Sequence, residues 1–214
     1  MRRSARVLGI FVKAPIPGRV KTRLAEEIGP ADAAEVYWRL GRHVVRATAS
    51  SGYRTTVWFT PAGAASLVRQ WLRGVAGRHL TLRPQVGASL GARLVTAFAG
   101  AFAAGARRVV IIGSDCPGVD GRLVRAAFTA LGRRDVVLGP ARDGGYYLIG
   151  LAAPEPALFR GIAWSTAVVA VETRARARAL GLSCHLLRRL RDVDTARDAR
   201  LLGFWPPQAT ESKS

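Results

Sequence analysis

Cysteine is scarce: the 214-residue chain carries only Cys116 and Cys184, far apart and outside any CxxC pair. That excludes a zinc-ribbon site and a disulfide framework. Cys116 reads as a small buried residue. Histidine is equally sparse, and His43, His79 and His185 stand isolated on helix or strand positions, so none is assigned a role. Long apolar runs are missing too. The longest weakly polar stretch, Leu94 to Ala106, covers about 13 residues rich in Ala and Gly, short of the roughly 20 that a membrane span needs. At the start, Arg2 and Arg3 precede an apolar run from Val7 to Val12. That run is too short for a signal-peptide core, and Lys13 interrupts it. A cytoplasmic protein is expected.

Apolar residues are plentiful, at 49%. They suffice for a sizeable core, and the length fits one domain, taken as residues 1–205 with a flexible tail at 206–214. The formal charge is +19, yet of 33 basic residues only Lys13, Lys21 and Lys213 are lysines. So strong an arginine bias has the look of a GC-rich genome. The arginines are also scattered: Arg174, Arg176 and Arg178, two apart, point around a helix and form no stripe. No nucleic-acid partner is expected, and the charge points instead to small anionic substrates.

Strand and helix signals alternate along the whole chain. Apolar or β-branched runs at Val7–Val12, Tyr53–Phe59, His79–Arg83, Arg108–Gly113, Asp135–Leu138, Tyr146–Leu151 and Ser183–Leu187 read as strands. Between them lie helical stretches at about Ala31–Thr48, Ala64–Leu72, Leu94–Phe102, Leu123–Leu131, Ala167–Leu180 and Thr195–Leu202. This alternation predicts a three-layer α/β/α fold around a mainly parallel sheet. Ligands then belong at the carboxyl ends of the strands, just after Val12, Gly113 and Leu187.

Four segments there carry chemistry. The loop Lys13-Ala-Pro-Ile-Pro-Gly-Arg-Val-Lys-Thr-Arg23 puts Lys13, Arg19, Lys21 and Arg23 directly after the first strand. Its prolines stiffen it, and Gly18 lets backbone amides approach an anion closely. The spacing of a P-loop is absent. In the second segment, a buried strand ends in Gly113-Ser114 and delivers Asp115, a carboxylate suited to Mg²⁺ or Mn²⁺. Asp120 fits the following helix cap better than Asp115 does. The third, Asp143-Gly144-Gly145-Tyr146-Tyr147, reads both as a tight hairpin turn and as an acid beside the cleft. The fourth is Asp192-Val193-Asp194-Thr195-Ala196-Arg197-Asp198. Thr195 and Asp198 resemble a capping box, which leaves Asp192 and Asp194 free, one of the two to close a metal's coordination opposite Asp115. A weaker element, Gln85 to Arg93, carries two glycines and Arg93 at a strand-to-helix junction. It reads equally as an anion nest or as turn chemistry.

The set K-x-P-x-P-G-x-x-K-T-R-L, G-S-D-C-P, D-G-G-Y-Y-L-I-G and D-V-D-T-x-x-D, in this order, resembles a bacterial family of glycosyltransferase-like proteins with the GT-A (nucleotide-diphospho-sugar transferase) fold. Its members are of the radical-SAM-associated or arsenosugar-biosynthesis type. The chain is similar, more distantly, to phospholactate and molybdenum-cofactor guanylyltransferases and to CMP-sugar synthetases. The resemblance implies that Lys21 and Arg23 meet phosphates, that Asp115 holds the metal, and that Asp194 is the late metal ligand. The opening L-A-G-G-x-x-x-R-M-G signature of the nucleotidylyltransferases is absent. The expectation is therefore a metal-dependent glycosyltransferase using a nucleotide-sugar donor and a small-molecule acceptor. Lys13, Gly18, Arg19, Lys21, Arg23 and Arg93 would bind phosphate, Asp115 and Asp194 would hold Mg²⁺ or Mn²⁺, and Asp143 would orient or deprotonate the acceptor hydroxyl. Two alternatives stay open: a nucleotidylyltransferase that releases pyrophosphate, and a non-catalytic nucleotide- or nucleic-acid-binding module.

Overall fold

The computed structural model describes residues 6–49, 52–75 and 80–206. It is a three-layer α/β/α fold of the GT-A kind, built on a seven-stranded sheet. The strands are β1 (Arg6–Lys13), β2 (Arg54–Thr60), β3 (Leu80–Pro84), β4 (Arg108–Gly113), β5 (Val136–Pro140), β6 (Tyr146–Leu151) and β7 (Cys184–Leu186), in the order β3-β2-β1-β4-β6-β5-β7. All pair in parallel except β6, which runs antiparallel to β4 and β5. Seven α-helices accompany them among the described residues: α1 (Thr22–Ile28), α2 (Pro30–Ala49), α3 (Ala65–Trp71), α4 (Leu90–Ala103), α5 (Gly121–Ala130), α6 (Val169–Ala179) and α7 (Ala196–Leu201).

Strand alternation divides the core in two. Leu8, Ile10, Val12, Val110, Ile112, Val137 and Leu148 face one way and pack with α2, α3 and α5. Val7, Val109, Ile111, Val136, Leu138, Ile149 and Leu151 face the other way, against Leu94, Phe98 and Ala101 of α4 and Ala177 of α6. The central strands are buried on both faces, which is why they read as unbroken apolar runs. Gly9 is required in β1, because a Cβ there would stand 2.7 Å from the Trp58 ring.

The expected strands and helices are present, with ends shifted by a few residues. Helix α1 is the exception. It begins at the end of the basic loop and runs through a stretch for which the sequence predicts no element, and Leu24 is its single buried residue. So short a helix with one anchored side chain leaves no periodic apolar trace. Asp120 caps α5, accepting from the Leu123 amide at 2.8 Å. His79 and the tail from residue 207 onward lie outside the described residues.

Candidate functional site

The parallel strands deliver their carboxyl ends to one side of the sheet, and a cavity of about 700 Å³ opens there. Tyr37 of α2 ties its floor together. Its hydroxyl accepts from the Lys13 amide at 2.8 Å and shares a 2.9 Å hydrogen bond with the Ser114 hydroxyl, joining the ends of β1 and β4. Burial, reinforced by the charge of Asp115, pushes the Tyr37 phenol well above its ordinary value, so it stays protonated. Tyr37→Phe is expected to lower stability by about 1–3 kcal/mol, because the buried Ser114 hydroxyl and the part-buried Lys13 amide lose their partner. Urea melts of the two proteins would check this, and an unchanged midpoint would contradict it.

Lys21 is the centre of the site. Its side chain is only 6% exposed, and its ammonium lies 2.5 Å from Asp115 Oδ1 and 3.1 Å from Asp194 Oδ1. Its backbone is left-handed, at φ 48° and ψ 49°, just before α1. A non-glycine residue there costs roughly 1–2 kcal/mol, offset here by the charge pairing. Burial alone would lower the lysine's pKa. The attraction of Asp115, then of Asp194, outweighs it and holds the group above its ordinary value.

The Asp192–Asp198 segment is pinned from several sides. The Val193 amide donates to the Asp115 carbonyl at 3.1 Å, and the Leu190 amide to the Pro140 carbonyl at 3.1 Å. The Tyr147 hydroxyl donates to the Arg188 carbonyl at 2.9 Å. Thr195 and Asp198 form the expected capping box on α7, and Arg191 pairs with Asp198 at 2.8 Å. The side chains of Asp192 and Asp194 therefore have no part in the cap. Asp192 instead accepts from the buried Cys116 thiol. Burial raises the Asp192 pKa to about 7, against the lowering effect of the thiol, and Asp143, Asp115 and Asp194 raise it further. Burial likewise pushes the Cys116 thiol far up, so it is no nucleophile.

The Asp143-Gly144-Gly145 turn joins β5 to β6 as a hairpin and also borders the cavity, so both readings of it hold structurally. Asp143 Oδ1 accepts from the Gly145 amide at 2.9 Å. Carboxylate oxygens of Asp143, Asp192 and Asp194 come within 4.8 Å of one another. An all-oxygen donor set so close together fits a hard divalent ion such as Mg²⁺ or Mn²⁺.

Six of the expected site residues line the cavity: Lys13, Lys21, Arg23, Asp115, Asp143 and Asp194. Gly18, Arg19 and Arg93 lie outside its lining. Arg93 Nε donates to the Gly87 carbonyl at 3.0 Å, and Gln85 Nε2 bridges the Val12 and Trp58 carbonyls. The Gln85–Arg93 element thus follows its turn-chemistry reading. Residues beyond those expected also line the cavity, chiefly Tyr37 and the segment Trp164 to Ala167. Tyr37 could have been found as a hydroxyl on the apolar stripe of α2, three residues before Leu40. Trp164 to Ala167 carries no periodic signal.

A family model described as "Uncharacterized protein conserved in bacteria (DUF2064)" matches residues 43–166, more than half of the chain. The chain belongs to this family. A crystal structure from Desulfovibrio desulfuricans G20, provisionally designated a nucleotide-diphospho-sugar transferase, is 34% identical, covering 99% of this chain and 91% of that one, with a TM-score of 0.86. A cytidylyltransferase from Leptospira borgpetersenii shares the fold at 12% identity, covering 92% of this chain and 84% of that one, with a TM-score of 0.58. So does Rv0371C of Mycobacterium tuberculosis H37Rv, solved as a complex with manganese, at 17% identity, coverages of 92% and 97%, and a TM-score of 0.52. No curated protein matches the chain. The 34% identical neighbour supports a transferase in general, and the fold is one that nucleotide-diphospho-sugar transferases and a cytidylyltransferase share. No helix of the described residues is long and apolar enough to cross a membrane.

Proposed function

We propose that the protein is a divalent-metal-dependent glycosyltransferase that takes a nucleotide-sugar donor. The observation that carries this reading is the meeting of Lys13, Lys21 and Arg23 with four carboxylates in one cavity at the strand ends. The cations suit a diphosphate, and the clustered carboxylates suit a divalent ion that would accompany it. Asp115 and Asp194 would hold Mg²⁺ or Mn²⁺, with Asp192 beside them, and the ion would supply charge neutralisation for the departing diphosphate. Arg23 and Lys13 bind phosphate oxygens. Asp143, exposed on the hairpin turn, orients or deprotonates the acceptor hydroxyl. Most of the rate enhancement then comes from positioning and charge stabilisation. The manganese complex of the mycobacterial neighbour supports the choice of ion. Residues 1–205 form the transferase domain in this reading.

The cytidylyltransferase among the neighbours favours a second reading, nucleotidylyl transfer from a nucleoside triphosphate. Product analysis separates the two. A nucleotide sugar with Mn²⁺ should yield the nucleoside diphosphate as its sugar passes to an acceptor hydroxyl or, more slowly, to water, while pyrophosphate release from a nucleoside triphosphate and a phosphorylated acceptor would establish the second reading instead.

Asp192 gives this site a pH dependence. Its carboxyl keeps the proton up to about 7, whereas an oxygen ligand must be ionised to bind an ion well. Ion affinity is therefore expected to fall as pH drops through that value, approaching about tenfold per pH unit below it. Stability runs the other way. Between the ordinary aspartate range and about 7 the unfolded chain releases this proton before the native one does, so the group's contribution to stability declines as pH rises. Mn²⁺ titrations on either side of neutrality check the first trend, and a flat affinity profile would remove Asp192 from the site.

A further inference from the structure

Lys21 offers its charge to carboxylates that a metal would also need. Its ammonium contacts Oδ1 of both Asp115 and Asp194, and it approaches from the buried side, with 6% of its side chain exposed. The two carboxylates remain half and about one-third exposed toward the cavity, at 50% and 31%. An ammonium is a compact point charge that can sit between two carboxylates, whereas the planar arginine fork demands a wider, bidentate geometry. The chain uses lysine at only three of its 33 basic positions, and this is one of them. The backbone at Lys21 is left-handed, at φ 48°, and its side chain is buried between the two acids. Lys21 is the N-cap residue of α1 and its carbonyl accepts from the Ala25 amide at 2.8 Å, but its side chain takes no part in the cap and is left for the two carboxylates.

We propose that Lys21 is a resident counter-ion which competes with a free divalent cation for the Asp115–Asp194 pair, so that the ion binds weakly alone and tightly only when a polyphosphate takes up the ammonium. This deepens the proposed function and rests on the reading that Asp115 and Asp194 hold the ion. A free ion must evict a buried, doubly paired ammonium and leave it without a partner, which is costly. A polyphosphate removes that cost, because its oxygens accept the ammonium as the ion takes the carboxylates. Ion and nucleotide then enter together, and the site discriminates against cations alone. Lys21 is a positioning residue in this scheme as well as a phosphate ligand.

Mn²⁺ alone is the probe, followed by electron paramagnetic resonance on the full-length protein. Lys21→Met keeps the length of the side chain and removes its charge, and it is expected to bind Mn²⁺ about tenfold more tightly than wild type, the eviction no longer being needed. Equal or weaker binding, or no Mn²⁺ binding by either protein, would overturn the proposal. A second measurement uses wild type and so does not depend on the variant folding. With lysines this few, trace acetylation followed by peptide mass analysis reports Lys21 against Lys13 as an internal reference. Saturating Mn²⁺ is expected to raise Lys21 labelling several-fold relative to Lys13 by freeing the amine, and an unchanged ratio would contradict the proposal. If instead no nucleoside di- or triphosphate bound to wild type with Mn²⁺, the proposed function would fail while the Mn²⁺-alone difference still stood.

Discussion

Asp194→Ala is expected to reduce divalent-ion affinity by more than about 100-fold, beyond what loss of an outer partner usually costs. Asp194 belongs to both acidic groupings, sharing Lys21 with Asp115 and lying within 4.8 Å of Asp143 and Asp192. No other carboxylate does so among the described residues. Its neighbour supplies the control. Thr195 caps α7 and points away from the chemistry, so Thr195→Ala should cost about 1 kcal/mol of stability and leave ion affinity near wild type. One short turn would then be divided between two functions, residue by residue. Mn²⁺ titration and urea melts on both variants read the two effects separately. If Asp194→Ala kept wild-type ion affinity and lost stability instead, the turn would be structural.

Gly144→Ala is expected to be the most damaging conservative change in the site. Gly144 has φ +90°, and a Cβ there would run into the Ala167 carbonyl and its backbone. The Gly144 carbonyl also accepts from the Ala170 amide at 2.9 Å, which ties the hairpin turn to the start of α6. Neither neighbour is a flexible side chain, so the turn has to move away from the Trp164–Ala167 wall of the cavity. A loss of at least about 3 kcal/mol is expected, the range of severe backbone conflicts. Gly18→Ala provides the comparison. Its φ is +75°, but an added Cβ meets nothing within 4 Å. Only the left-handed penalty applies there, about 1–2 kcal/mol. Equal destabilisation of the two variants in thermal melts would show that the packing against Ala167 does not matter.

The fold was legible because its central strands are buried on both faces and written in unbroken runs such as Val109 to Ile112. The carboxyl-end rule then located the site before any side chain was placed, and Lys13, Lys21, Asp115 and Asp194 do converge there. What stayed hidden is instructive in physical terms. Lys21 reads in sequence as a phosphate-binding cation of the basic loop, whereas the structure buries it between two acids, on a residue with left-handed backbone. No spacing rule announces such an inversion. Asp192 was visible as an acid free of the cap, but its contact with Cys116 depends on a pairing across separate chain segments. Trp164 reaches the cavity because its indole edge packs over Gly91, where an added Cβ would stand 2.7 Å from Nε1. That fit joins two segments without local periodicity, and only tertiary packing reveals it.

The account stands on one claim: that the strand-end cavity takes a nucleoside diphosphate together with a divalent ion. The most direct measurement is calorimetric titration of a panel of nucleoside diphosphates and nucleotide sugars into wild type and Asp194→Ala, each with and without Mn²⁺. The account predicts saturable binding of at least one nucleotide to wild type in the presence of Mn²⁺. It also predicts binding at least about tenfold weaker when either the ion or the Asp194 carboxylate is removed, because charge-assisted contacts between ion, carboxylate and phosphate are then lost. Binding that is equally tight without the ion and in the variant, or no nucleotide binding at all, would contradict it.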